Sequence, residues 1–164
     1  MKDFKGKTAV ITGAASGIGY ALAEKFANEG MNIVLADIEQ DALKIAVKKI
    51  SDIGVESFGI NIDVMHKDSV EHLFNESVKA FSKVHILCNN AGVASTVVAD
   101  GIWELDEKDW DWVLGVNFYG TLYGIQSFVP HMINHKEEGH VLNTISLAGI
   151  LPGEAIYGVS KHAA

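Results

Sequence analysis

Eight residues near the start of the chain, Thr12 to Gly19 (TGAASGIG), carry three glycines at the spacing G-x-x-x-G-x-G. Each has a mechanical use in holding an anion: Gly13 allows a tight turn, Gly17 lets a pyrophosphate reach the backbone, and Gly19 lets a following helix pack closely. The anion would rest on unpaired amides at the positive end of that helix. The alternative is an ordinary glycine-rich turn. Asp37, 24 residues after Gly13, is placed to accept hydrogen bonds from an adenosine ribose and to repel a 2′-phosphate. No Lys or Arg stands among Ala14, Ala15 and Ser16 or directly after Asp37, so NAD is expected in preference to NADP. The alternative for Asp37 is a solvated strand-end or helix-capping carboxylate. Tyr157 alone among four tyrosines has a lysine four residues on, Lys161, in the string YGVSK. On a helix those two side chains share one face, a turn apart.

These residues need elements to hold them. Thr8–Thr12 (TAVIT) reads as a buried parallel strand, apolar on both faces. Ile18, Leu22 and Phe26 then recur at helical spacing, predicting an amphipathic helix with that stripe inward, ending near Gly30. Strands at Asn32–Ala36, around Glu56–Asn61, at His85–Cys88 and at His140–Ile145 alternate with helices through Leu43, Val47 and Ile50, over about 68–81 and over 106–134. The last is interrupted near Gly115–Gly120. Residues 89–105 read as loop, and another helix starts at Tyr157 after a loop with Pro152 and Gly153. This alternation predicts right-handed βαβ units and an α/β fold: a doubly wound, Rossmann-type parallel sheet in a three-layer α/β/α arrangement. Residues 1–164 are expected to form one NAD-binding domain, incomplete at its C-terminal end, because the fifth strand would leave an apolar edge unpaired.

Thr12–Gly19, Asn89–Gly92 (NNAG), Asn117, Ser146 and the Tyr157/Lys161 pair occur in that order, and together they resemble the short-chain dehydrogenase/reductase family over essentially the whole chain. The resemblance implies an NAD(H)-dependent oxidoreductase that interconverts a secondary alcohol and a ketone or aldehyde by hydride transfer. It implies that Tyr157 is the general acid/base, and that Lys161 stabilises the phenolate and hydrogen-bonds the nicotinamide ribose. Ser146 would donate to the substrate oxygen, and Asn117 would bend its helix and place a water in a relay to Lys161. A free phenol titrates near ~10, so acid/base work at neutral pH requires a cation close by. The cofactor would be bound by Gly13, Ser16, Gly17, Ile18, Gly19, Asp37, Asp63, Val64, Asn90, Ala91, Gly92, Tyr157 and Lys161. Within that set, Asp63 would contact the adenine and NNAG would steady the sheet beside it. Taken singly, Asn117 could instead bond its own helix, Ser146 could cap a strand end, and Lys161 could lie on the surface. The family also implies a homodimer or homotetramer.

A formal charge of −8, with 48% hydrophobic residues, disfavours nucleic acid and anionic membranes as partners. It leaves a small-molecule substrate, which Val97, Ile102, Trp103, Leu147, Leu151 and Ile156 suggest is apolar. A single cysteine, Cys88, expected to pack in a buried strand, fits a reducing compartment. Without an export signal or a bilayer-length apolar run, the location expected is cytoplasmic. His66, His72, His131, His135, His140 and His162 show no spacing tied to other ligands, although His131 and His135 share a helix face. No metal is expected. Trp103, Trp110 and Trp112 are expected to anchor packing or loops. Two features depart from the family. Ser146 and Tyr157 are 11 residues apart, shorter than usual, which predicts a shift of one relative to the other. Two further strands with their crossovers, on the order of 60–90 residues, lie beyond what this chain contains. The alternative function is therefore a truncated, catalytically inactive dinucleotide-binding module that self-associates.

Overall fold

All five expected strands form and pair in parallel. The computed structural model describes residues 1–94, 102–151 and 155–164; Val97, Pro152 and Gly153 fall outside them. The elements in order are β1 (Thr8–Thr12), α1 (Gly17–Asn28), β2 (Asn32–Asp37), α2 (Gln40–Ser51), β3 (Ser57–Asn61), α3 (Lys67–Phe81) and β4 (Ile86–Asn89). Then come α4 (Glu107–Leu114), a π-helical turn (Gly115–Tyr119), α5 (Gly120–Asn134), β5 (His140–Asn143) and α6 (Ala155–Ala163). Short 3₁₀ turns lie at Ile102–Glu104 and Leu147–Gly149. The sheet order is β3-β2-β1-β4-β5. β1 pairs with β2 from Thr8↔Asn32 to Thr12↔Ala36, and with β4 from Ala9↔Ile86 to Ile11↔Cys88. Strand order reverses between β1 and β4, so the loops leaving their carboxyl ends diverge and open a crevice.

Alternation along the strands sends neighbouring side chains to opposite faces. Ala9, Ile11, Ile33 and Leu35 pack under α1 and α2 with Ala23, Ala27, Leu43 and Ile50. Val10, Val34, Ala36 and Leu87 pack under α3 and α5 with Val70, Leu73 and Phe128. Phe128 is fully buried, with Phe74 edge-on at 5.3 Å. Helices thus cover both faces of the sheet, as the βαβ pattern requires. Cys88 lies in the α1/α2-side core, where burial pushes its thiol up to about 12. No helix among the described residues is long and apolar enough to cross a membrane.

Several expectations are corrected. The inward stripe of α1 is Gly19, Ala23 and Ala27, while Leu22 and Phe26 flank the core and Ile18 is 65% exposed. The helix lies so near the β1 turn that a Cβ on Gly19 would overlap Gly13 O and stand 2.6 Å from Asn90 Nδ2, leaving room there only for glycine. β5 stops at Asn143 instead of Ile145. Thr144 N still reaches Asn89 O at 3.0 Å, but Thr144 O accepts from Lys161 Nζ, which draws the chain toward α6. Helix α6 starts at Ala155, two residues before Tyr157. Trp103 is 80% exposed.

Candidate functional site

The turn from β1 to α1 takes its shape from two left-handed glycines, Gly13 (φ +63) and Gly17 (φ +54), a conformation that costs other residues about 1–2 kcal/mol. Space around Gly17 is open, whereas a Cβ on Gly13 would lie 2.9 Å from Ala91 Cα. Ser16, the N-cap of α1, makes no side-chain capping bond. The first-turn amides of α1 therefore keep no partner within the chain's own cap, which suits an anion.

Thr12, which the spacing arguments passed over, locks this turn to the segment after β4. Its Oγ donates to Cys88 O at 3.3 Å and accepts from Asn90 N and Ala91 N at 3.0 and 3.1 Å. Asn90 Nδ2 donates to Thr12 O at 3.0 Å and Gly13 O at 3.2 Å, and its Oδ1 accepts from Thr144 Oγ1 at 3.0 Å. One carboxamide thus fastens the ends of β1, β4 and β5.

At the end of β2, Asp37 Oδ2 accepts from Ala15 N at 2.9 Å and Oδ1 from Glu39 N at 3.0 Å. The carboxylate is neither freely solvated nor the N-cap of α2, which is Glu39. Asp63 Oδ1 accepts from Met65 N at 2.9 Å, closing the turn after β3. Between these segments lies a cavity of about 480 Å³, lined by Gly13, Ser16, Asp37, Asp63, Val64, Asn90, Ala91 and Gly92. Ile38, Glu39, Met65, Val93, Trp112 and Val116 also line it, with Ala36 and Ile62 of the strand ends. None of these eight was singled out as a wall residue from the sequence, and Trp112 faces the cavity where a packing role was expected. Gly17, Ile18, Gly19, Tyr157 and Lys161 are not among its lining: Ile18 is exposed, and Gly19 is buried beneath the turn.

Gly92 connects this cavity to the second cluster. A Cβ there would stand 3.1 Å from Lys161 Nζ and 3.3 Å from Asn117 Oδ1. Lys161 is 7% exposed, so it is no surface lysine; burial pushes its pKa down, and Nζ donates to Thr144 O at 3.0 Å. Its ammonium lies 5.8 Å from the Tyr157 ring centroid, the one-turn neighbourhood that YGVSK predicts. Asn117 occupies the π-helical turn. Its side chain does not bond its own helix but pairs with the backbone of Val93, Oδ1 accepting from N and Nδ2 donating to O, both at 2.9 Å. Its own carbonyl accepts from Thr121 Oγ1 at 3.0 Å. Ser146 Oγ caps the 3₁₀ turn by accepting from Ala148 N at 3.2 Å, which leaves its proton available to donate. That turn docks on α6: His162 Nδ1 donates to Gly149 O at 2.7 Å, and a Cβ on Gly149 would meet Lys161 C at 2.8 Å. The turn that follows Ser146 is thereby held against the helix that carries Tyr157.

Three other histidines, His85, His131 and His135, lie at the other end of the sheet, where Thr8 N donates to His85 Nδ1 at 3.1 Å. His85, absent from the histidine set above, stands 5.3 Å from His135, which stands 5.4 Å from His131, ring centroid to ring centroid. Among the described residues no group of three or more His, Cys, Asp or Glu side chains could hold a metal.

A family model described as short chain dehydrogenase matches residues 7–164. Among curated proteins, the CLA biosynthesis dehydrogenase/reductase of Lactiplantibacillus plantarum is 38% identical over 165 residues, covering 99% of this chain and 57% of that protein. The diacetyl reductase [(S)-acetoin forming] of Staphylococcus epidermidis is 36% identical, covering 95% and 60% respectively. A short chain dehydrogenase/reductase from Burkholderia phymatum, solved in complex with NAD, superposes with a TM-score of 0.95 at 44% identity, over 99% of this chain and 58% of that one. The chain thus spans somewhat under two thirds of the length of these relatives. With the parallel sheet and the glycine turn in place and the family model matched over residues 7–164, this chain belongs to the short chain dehydrogenase family.

Proposed function

We propose that the protein is an NAD(H)-dependent oxidoreductase that interconverts a secondary alcohol and its ketone or aldehyde, with Tyr157 as the general acid/base. The observation that carries this reading is the convergence at Gly92, where a wall residue of the cavity touches the space of both Lys161 Nζ and Asn117 Oδ1. A dinucleotide suits the cavity together with the glycine turn next to it: the open backbone at Gly17, beside the lining residue Ser16, and the uncapped amides of α1 suit a pyrophosphate, and Asp37 suits a ribose diol. Asp37 belongs to the cavity lining, so a 2′-phosphate would face its carboxylate, which favours NAD over NADP. Bound NAD would supply the hydride acceptor. Tyr157 Oη would take the proton of the alcohol or return it to the carbonyl. The Lys161 ammonium would favour the phenolate by its charge in a nearly dry setting. Ser146, with its hydroxyl proton free, would donate to the substrate oxygen. Exposed Ile102, Leu147 and Leu151 fit an apolar substrate.

The test is to incubate the protein with NAD and a panel of secondary alcohols and follow the ultraviolet absorbance of NADH. Turnover abolished in Tyr157→Phe is the expected result. A second reading rests on the half-exposed Val141 and Leu142 of the outer strand β5: a binding module that self-associates through that strand. NAD-induced thermal stabilisation and dimerisation without turnover would favour it.

A further inference from the structure

Ser160 is completely buried, yet it belongs to none of the roles assigned above. Its hydroxyl oxygen accepts from Asn117 Nδ2 at 2.8 Å and donates to Tyr157 O at 2.8 Å. A serine that back-bonds to the carbonyl three residues earlier is common in helices and by itself means little. Here, however, the single hydroxyl proton is committed to Tyr157 O, so a lone pair is left facing the Asn117 amide. The result is a directional chain: Val93 N donates to Asn117 Oδ1, Asn117 Nδ2 donates to Ser160 Oγ, and Ser160 Oγ donates to Tyr157 O. Each donor in such a chain polarises the next. Val93 lines the cavity, so the chain runs from the cavity wall to the backbone of the proposed acid/base. It also joins the π-helical turn to α6, two elements that carry Asn117 on one side and Tyr157 and Lys161 on the other.

We infer that Ser160 is a positioning residue of the proposed reaction: by tying Asn117 to the backbone of Tyr157, it sets α6 on the π-helical turn and links the cavity wall at Val93 to the placement of Tyr157 and Lys161. This inference rests on the oxidoreductase reading. Ser160→Ala removes only the hydroxyl, and Ser160→Cys keeps the volume with a weaker donor and acceptor. A misplacement on the order of 1 Å costs about 100-fold in rate, so kcat is expected to fall about 10- to 100-fold in Ser160→Ala and less in Ser160→Cys. The KM for the alcohol should change little, and the ascending limb of the pH–rate profile should move to higher pH. A merely structural serine would lower the melting temperature and leave both the pH profile and the kcat of the folded fraction in place.

The decisive comparison is a double-mutant cycle, because a residue that acts through Asn117 should add little on an Asn117→Ala background. Ser160→Ala within about twofold of the wild type in kcat, or fully additive with Asn117→Ala, overturns the inference. If the wild type binds NAD without turning over any alcohol, the oxidoreductase reading fails first. The link is then judged by calorimetry: Ser160→Ala should weaken NAD binding about fivefold or more through Val93, and unchanged affinity overturns it.

Discussion

Replacing Asp37 by Asn separates the charge of this side chain from its shape. In the folded chain each carboxylate oxygen takes one backbone amide, Ala15 N at 2.9 Å and Glu39 N at 3.0 Å. A carboxamide offers one accepting oxygen and one donating nitrogen, so whichever way it turns, one of those amides meets a donor. A hydrogen bond to a charged group contributes about 1.5–3 kcal/mol, and because Asp37 is only half-buried the lower figure applies. At about 2–4 °C per kcal/mol for a chain of this size, the melting temperature should fall by about 3–6 °C. For the ligand, a 2′-phosphate about 4 Å from the carboxylate would be repelled by roughly 4 kcal/mol per charge pair at an effective dielectric near 20. Screening in a solvent-open cleft halves this to about 2 kcal/mol, close to ~30-fold in affinity. The assay is calorimetric titration of wild type and Asp37→Asn with NAD and with NADP at one ionic strength. The wild type should prefer NAD by about 30-fold or more, and the variant should bring the two within about threefold, mainly by gaining affinity for NADP. Equal binding of both dinucleotides by the wild type, or a preference that survives in the variant, refutes the electrostatic argument.

Gly92→Ala puts a methyl 3.1 Å from Lys161 Nζ and 3.3 Å from Asn117 Oδ1. Because Asn117 is held by Val93, the lysine must yield; activity should fall by about 10-fold or more while the melting temperature moves by only a few degrees, as steady-state kinetics and calorimetry will show. Hydrogen bonds from Lys83 and His85 hold the Glu137 carboxyl down at about 2 against an ordinary 4.5. Its stabilising effect is therefore complete above pH 4.5 and lost as the pH falls toward 2, so the gap in melting temperature between wild type and Glu137→Gln should close over that window. Burial, with His135 and His85 nearby, pushes His131 below its ordinary 6.5. The unfolded chain then binds the proton first, stability declines as the pH falls through 6.5, and His131→Phe should flatten that decline in melting curves taken between about pH 7 and pH 5.

Where a property is carried by a few adjacent residues, it was legible before the fold was known. The two left-handed glycines of the first turn, the acidic end of β2, the break in the helix around Asn117 and the one-turn spacing of Tyr157 and Lys161 are of this kind. In each, the backbone conformation or the helical period decides the outcome within a handful of residues. The parallel pairing of the strands followed as well, because βα alternation leaves few other ways to bury two apolar faces.

Tertiary structure alone decided how closely the elements approach and which polar groups meet. Hydrophobic periodicity placed Ile18 inward, but the contact between Gly19 and the β1 turn gave that face to alanines. Thr12 became a central fastener only because β4 brings Asn90 and Ala91 to it from 78 and 79 residues away. Trp112 entered the cavity wall, and Ser160 met Asn117 across 43 residues, with nothing in the neighbouring sequence to announce either. The physical reason is range: conformational preference and periodicity act over one or two turns, whereas hydrogen bonds and close packing between distant segments exist only after the sheet has set their separation.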